Sequence, residues 1–157
     1  MAKAAAKEET KVIEMENKIE KMTEFLEENK IECFDIQKIE DEHHTTIFRS
    51  RMEVKGQLLP MALLMDDSVY MMLQVQIAPQ VIDEAKLKAL AAGINNMNNN
   101  VRPFKFTVSE RGDFMLNACI TAENNTFNPA LANAIMAEAV KFLEAQYGNI
   151  MEAVWAK

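Results

Sequence analysis

Between residues 46 and 77 the chain reads TIFRSRMEVKGQLLPMALLMDDSVYMMLQVQI, three runs in which apolar residues recur at every second position. Alternation of period two is the pattern of strands that bury one face and turn the other outward. Lys55-Gly56 as a two-residue turn sets Val54 opposite Gln57, and Asp66-Asp67-Ser68 as a three-residue loop sets Met65 opposite Val69. In that register one face carries Phe48, Met52, Val54, Leu59, Met61, Leu63 and Met65, continued by Val69, Met71, Leu73, Val75 and Ile77. Ser50 and Gln57 alone interrupt it. A slip of one residue at either turn would scatter this set over both sides, so it is the predicted core face.

The residues between them form a mixed face. It holds Ile47, Arg49, Arg51 and Glu53, then Leu58, Pro60, Ala62 and Leu64, then Tyr70, Met72, Gln74 and Gln76. Leu64, Tyr70 and Met72 make it too apolar for a purely solvated surface. Two arginines and two glutamines make it too polar for a second core. Arg49, Arg51, Leu64, Tyr70 and Met72 therefore mark a candidate surface for a protein partner. Coverage by the chain's own first or last helix is the other way to account for them. Pro60 cannot donate to a ladder, so full pairing of the middle strand is expected only after it.

Helical periods flank these strands. Over residues 10–30, Val12, Met15, Ile19, Met22 and Leu26 recur at spacings of three and four with Phe25 beside them, a narrow seam for packing on the domain's own sheet or on a partner. Residues 33–39 (CFDIQKI) alternate weakly, as a short edge strand does. A second helix is predicted over 81–97, with Pro79 before it and Asp83 and Glu84 in its first turn. The asparagines from Asn95 to Asn100 read as its C-cap and turn. Phe104, Phe106 and Val108 form a hairpin with Phe114, Leu116, Ala118 and Ile120, the five-residue loop 109–113 setting Val108 opposite Phe114. Asn128 as N-cap and Pro129 at the first position open a last helix with the stripe Leu131, Ile135, Ala139, Phe142 and Leu143. Tyr147-Gly148 is either its stop or a kink. The expected fold is α+β: an antiparallel sheet of about five strands with flanking helices, in the order α-βββ-α-ββ-α. It forms one domain over 10–157 after a disordered segment 1–9.

Composition narrows the class. An apolar content of 49% and a charged content of 26% over 157 residues suit one globular domain with a sizeable core. The net charge of −7 is concentrated early: residues 1–42 hold seven Lys against thirteen Asp or Glu, and the other 115 hold ten basic against eleven acidic residues. A near-neutral body behind an acidic entry lacks the basic footprint of a nucleic-acid binder. No apolar run reaches the ~20 residues of a membrane span, and MAKAAAKEETK has no apolar stretch of the kind a secretory signal carries. Two cysteines, Cys33 and Cys119, fit reduced thiols in a cytoplasmic protein better than a disulfide framework. Twelve methionines, five of them from Met52 to Met72, serve either irregular core packing or an adaptable binding surface.

Candidate chemistry changes little. The histidines are the neighbours His43 and His44, which point to opposite sides of an extended segment and have no spaced partner for a metal. None of the four glycines stands in a phosphate-cradling loop, and no Ser-His-Asp or Cys-His arrangement is signalled. The chain is expected to be no enzyme and to need no cofactor or metal.

Two local features carry a family resemblance. ALAAGINNMNNN running into VRPFKFTVSERGDFMLNACI looks like an Asn-terminated helix followed by a hairpin, and VKFLEAQYGNIMEAVW like a closing helix ending near an aromatic. With the order of elements over 12–155, they make the chain resemble the YbjN-domain family of bacteria, whose fold is similar to that of type III secretion chaperones. Glu32-Cys33 stands where that family commonly has Gly entering its first strand. The resemblance implies a two- or three-layer α+β domain, often a homodimer, that binds a protein partner or client and is described as a sensory transduction regulator. It carries no catalytic residue over. The expectation is a protein-binding module, chaperone-like or regulatory, acting through the mixed sheet face or the first helix's seam. The alternative is a carrier of small apolar ligands, with a pocket lined by Met and Phe between sheet and helices.

Overall fold

The computed structural model describes residues 17–156. In chain order they form α1 (Lys18–Glu28), β1 (Asp35–Lys38), β2 (Thr46–Val54), β3 (Gln57–Met65), β4 (Tyr70–Ala78), α2 (Glu84–Asn100), β5 (Lys105–Val108), β6 (Phe114–Thr121) and α3 (Pro129–Trp155). The expected segment 1–9, and Val12 and Met15 of the first seam, lie outside the described residues. The six strands make one antiparallel sheet in the order β1-β2-β3-β4-β6-β5. The fold is α+β as expected, with one strand more than the five counted, because Asp35–Lys38 pairs along β2 as an edge.

The core face is the one read from the alternation. Phe48, Val54, Leu63, Met65, Met71, Leu73 and Val75 are each 1% exposed or less, and Met52, Leu59, Met61 and Ile77 are buried with them. The turn at Lys55-Gly56 sets Val54 opposite Gln57 as predicted, with both turn residues at positive φ (49° and 76°). The next loop differs. Met65 pairs with Met71 instead of Val69, a shift of two residues that keeps every side chain on its face but leaves Val69 48% exposed outside the core. Bonds within the loop and to the end of β6 explain its length: the Asp66 carboxylate accepts from the Ser68 backbone N–H (2.9 Å) and hydroxyl (2.5 Å), and the Val69 carbonyl is taken by the Ala122 N–H at 2.7 Å.

The helices close over that face. Met22 and Leu26 of α1 are buried in the core, so the described part of its seam packs on the domain itself. On α3 the buried stripe is Ala132, Met136, Ala139, Leu143, Ile150 and Val154, rotated by one residue from the predicted Leu131 and Ile135. The small Ala132 and Ala139 bring the helix backbone close to the sheet, and Leu131 is left 51% exposed. Asn128 caps α3 as predicted, accepting from the Ala130 N–H, and the helix runs unbroken through Tyr147-Gly148. Phe104 stacks on Phe142 and Phe106 on Phe114, with ring centroids 5.3 and 5.4 Å apart, joining the second hairpin to α3.

α2 departs from expectation at its end. The asparagine run is helical to Asn100, where a cap and turn were predicted. Asn98 explains why: its amide donates to the Phe106 carbonyl (3.0 Å) and accepts from the Phe106 N–H (2.7 Å), pairing with the open edge of β5 as a further strand would. Lys105 Nζ completes the end by donating to the Asn98 and Val101 carbonyls, each at 2.6 Å. Gly112, at φ +85°, is wedged under the entry to α2. Its carbonyl accepts from the Val81 and Ile82 N–H groups, and a Cβ there would lie 2.4 Å from the Ile82 oxygen.

Candidate functional site

With every described helix on one side, the other side of the sheet is built of strand residues alone. Cross-strand pairing arranges it in rows. Ile47 stands opposite Leu64, Leu64 opposite Met72, and Met72 opposite Cys119, an apolar band across four strands. The adjacent row runs Asp35, Arg49, Ala62, Gln74, Asn117 and Lys105. Beyond it Arg51 faces Pro60, and Gln76 faces Met115. The apolar members of these rows stand apart from the core cluster. Among the described residues nothing covers them.

Arg49, Arg51, Leu64, Tyr70 and Met72 all lie on this side. Arg49 and Arg51 are exposed on β2, Leu64 and Met72 are half-buried neighbours on β3 and β4, and Tyr70 is 51% exposed at the start of β4. Tyr70 faces Thr121 at the margin, so it borders the band instead of joining it. Five contributors were missed: Asp35 of β1, Lys105 of β5, and Met115, Asn117 and Cys119 of β6, the last three being the most central. The alternation of those three with Phe114, Leu116 and Ala118 was the available signal. What it lacked was the knowledge that β6 inserts between β4 and β5.

The face has a shallow centre. A depression of about 240 Å³ lies over Ala62, walled by Arg49, Pro60, Gln74, Gln76 and Met115. Ala62 forms a floor because its side chain ends at Cβ while its row neighbours are long. Arg49 Nε donates to Gln37 Oε1 at 3.3 Å, and neither Arg49 nor Arg51 forms an ion pair among the described residues.

The margin carrying Tyr70 is anchored from the first helix, by a lysine the sequence does not single out. Lys18 is 2% exposed, and its ammonium donates to the Ser68 carbonyl at 2.5 Å and the Tyr70 carbonyl at 2.8 Å. Burial lowers its pKa from the ordinary lysine value, against the opposing pull of Asp66 and Asp67. On the same loop Asp67 accepts from His44 Nδ1 at 2.6 Å, and this bond, followed by the carboxylate's charge, raises the His44 pKa. His43 and His44 are both exposed, and no group of three or more His, Cys, Asp or Glu among the described residues is placed to hold a metal. Cys33 and Cys119 are unpaired and exposed.

Between sheet and helices the space is limited. Two crevices flank α2, one of about 210 Å³ beside Met97, Phe106 and Phe142 and one of about 250 Å³ beside Leu90, Ile94, Met97 and Phe114. Both fall below the ~300 Å³ at which small-ligand pockets begin. A wider depression of about 590 Å³ between the start of α1 and the β1–β2 turn is lined by Ile19 and Ile39 together with Glu20, Lys38, Glu40 and Asp41. No described helix is long and apolar enough to cross a membrane.

No protein-family model matches the chain, and no curated protein matches it. Among solved structures, a chain of the crystal structure of the ExsC–ExsE complex is similar to this one, at 17% identity and a TM-score of 0.48, with 79% of this chain and 88% of that chain covered.

Proposed function

We propose that this chain is a non-enzymatic protein-binding module, chaperone-like or regulatory, that receives a protein partner on the outer face of its sheet. The observation that carries this reading is a six-stranded sheet with helices on one side only among the described residues. Its open side nonetheless holds Ile47, Leu64, Met72 and Met115, all half-buried within the sheet surface, with exposed Leu58 and Tyr70 at its margins. Aromatic, methionine and arginine side chains set among amides are the composition of recognition surfaces. The reading follows the resemblance to the YbjN-domain family in kind, and cytoplasmic location belongs to it. The ligand-carrier alternative has, among the described residues, the two crevices at α2 and one of about 290 Å³ beside Leu26, Ile31, Phe34 and Ile36, all under the ~300 Å³ of a small-ligand pocket.

A photo-crosslinking residue at position 72 tests it in the source cell. A single stoichiometric partner is expected there and not from the same residue at Glu138, exposed on α3. Crosslinking at both positions alike, or at neither, would overturn the reading. Sedimentation decides whether that partner is a second copy, as a homodimer requires: wild type then sediments as a dimer and Tyr70→Asp as a monomer.

A further inference from the structure

Resting on the docking role of the outer face, we infer that the partner it fits is an acidic, apolar-studded protein segment, with a carboxylate seated over Ala62 beside Arg49. The depression is the argument. Of its lining residues Arg49, Pro60, Met61, Ala62, Gln74, Gln76 and Met115, the one ionised group is a cation. That cation is oriented without being neutralised, because Gln37, which takes Nε, is uncharged. Both terminal amino groups of the guanidinium stay without a partner among the described residues and have the fork geometry that matches a carboxylate. Gln74 and Gln76 bring further amide donors on the opposite wall.

The charges around the depression are mixed, with Lys105 at the end of the Arg49 row adding a third cation to the face. Arg51 lies two residues along the same strand, opposite Pro60. Asp35 faces Arg49 and Glu53 follows Arg51, yet neither forms an ion pair with them among the described residues. A volume of about 240 Å³ admits one glutamate side chain with its methylenes against Pro60 and Met115, and not a folded ligand. The neighbouring band of Ile47, Leu64 and Met72 asks the same segment for apolar side chains. The un-neutralised guanidinium in the depression favours an acidic partner by complementarity.

Selection of a random 12-residue peptide library on the immobilised chain tests this without knowledge of the natural partner. Wild type is expected to enrich peptides rich in Asp or Glu and in Leu, Ile or Met. An Arg49→Gln/Arg51→Gln chain, with unchanged circular dichroism, should lose the acidic enrichment. A selected peptide should bind that chain roughly tenfold more weakly and regain only part of its affinity in Arg49→Lys/Arg51→Lys, which restores the charge without the fork. Neutral or basic winners, or acidic winners that bind the glutamine variant equally well, overturn the inference. If such winners are still abolished by Leu64→Asp, the docking face survives and only its charge preference falls. An empty selection counts against both.

Discussion

Leu63 and Leu64 are the same side chain on consecutive residues of one strand, and the molecule treats them oppositely. Leu63 is 1% exposed among the helices, while Leu64 lies half-buried between Ile47 and Met72 with no described helix over it. The difference holds along β2, β3 and β4. It shows that period two sorts residues into two faces, and that only the placement of helices decides which face stabilises the chain and which is left for contact. The comparison predicts the largest effect to be measured here. Leu63→Ala should cost about 2–5 kcal/mol in urea unfolding, whereas Leu64→Ala should cost under about 1 kcal/mol. Equal losses would mean that the outer face is covered in solution.

Much of this was legible before any coordinates, for a physical reason. Both hairpins and the core face follow from parity, which survives the two-residue lengthening at Met65–Met71 because an even shift returns every side chain to its own side. What was not legible depends on partners far along the chain. The loop after Met65 is held by Lys18, about fifty residues away, and the Asn run stays helical because Asn98 meets the edge of β5. Local propensity assigned the Asn run to a turn and a tertiary hydrogen bond overrode it, whereas the segment after Met65 stays a loop and only lengthens by two residues. The candidate face was half visible: Arg49, Arg51, Leu64 and Met72 emerged from alternation. Met115 and Cys119 did not, because strand order is not written in any local pattern.

Lys18 tests the seam between the two faces, since its helix packs on the core side while its ammonium holds the loop that feeds Tyr70. Lys18→Met should leave the Ser68 and Tyr70 carbonyls without this donor and cost about 1–3 kcal/mol, with faster amide exchange at 67–70. The pH dependence has a definite sign. Burial lowers the folded pKa below 10.5, so between the lowered value and 10.5 the unfolded chain binds more protons and stability rises with pH. That slope should be missing from the methionine variant; its persistence would locate it elsewhere.

The outer face itself should yield smaller numbers. Arg49→Ala and Arg51→Ala are each expected to change stability by less than about 0.5 kcal/mol, because both side chains are exposed and without ion pairs among the described residues. Thermal unfolding measures this directly. A loss above about 1.5 kcal/mol would assign the arginines to the fold and remove them from the contact surface.

The smallest expected effect lies at the margin where the β1–β2 turn meets the β3–β4 loop. The hydrogen bond to Asp67 raises the His44 pKa above 6.5, so the folded chain holds that proton to higher pH than the unfolded chain does. The linked stabilisation is fully present below about pH 6.5 and is lost as pH rises through the folded value. Both partners are well exposed, which keeps the consequence for global stability small and makes the titration itself the useful readout. Following the His44 ring by NMR, Asp67→Asn should lower its midpoint. An unchanged midpoint would show that the turn and the loop are not tied in solution, and that the bonds of Lys18 hold Tyr70 at the border of the open face without help from this side.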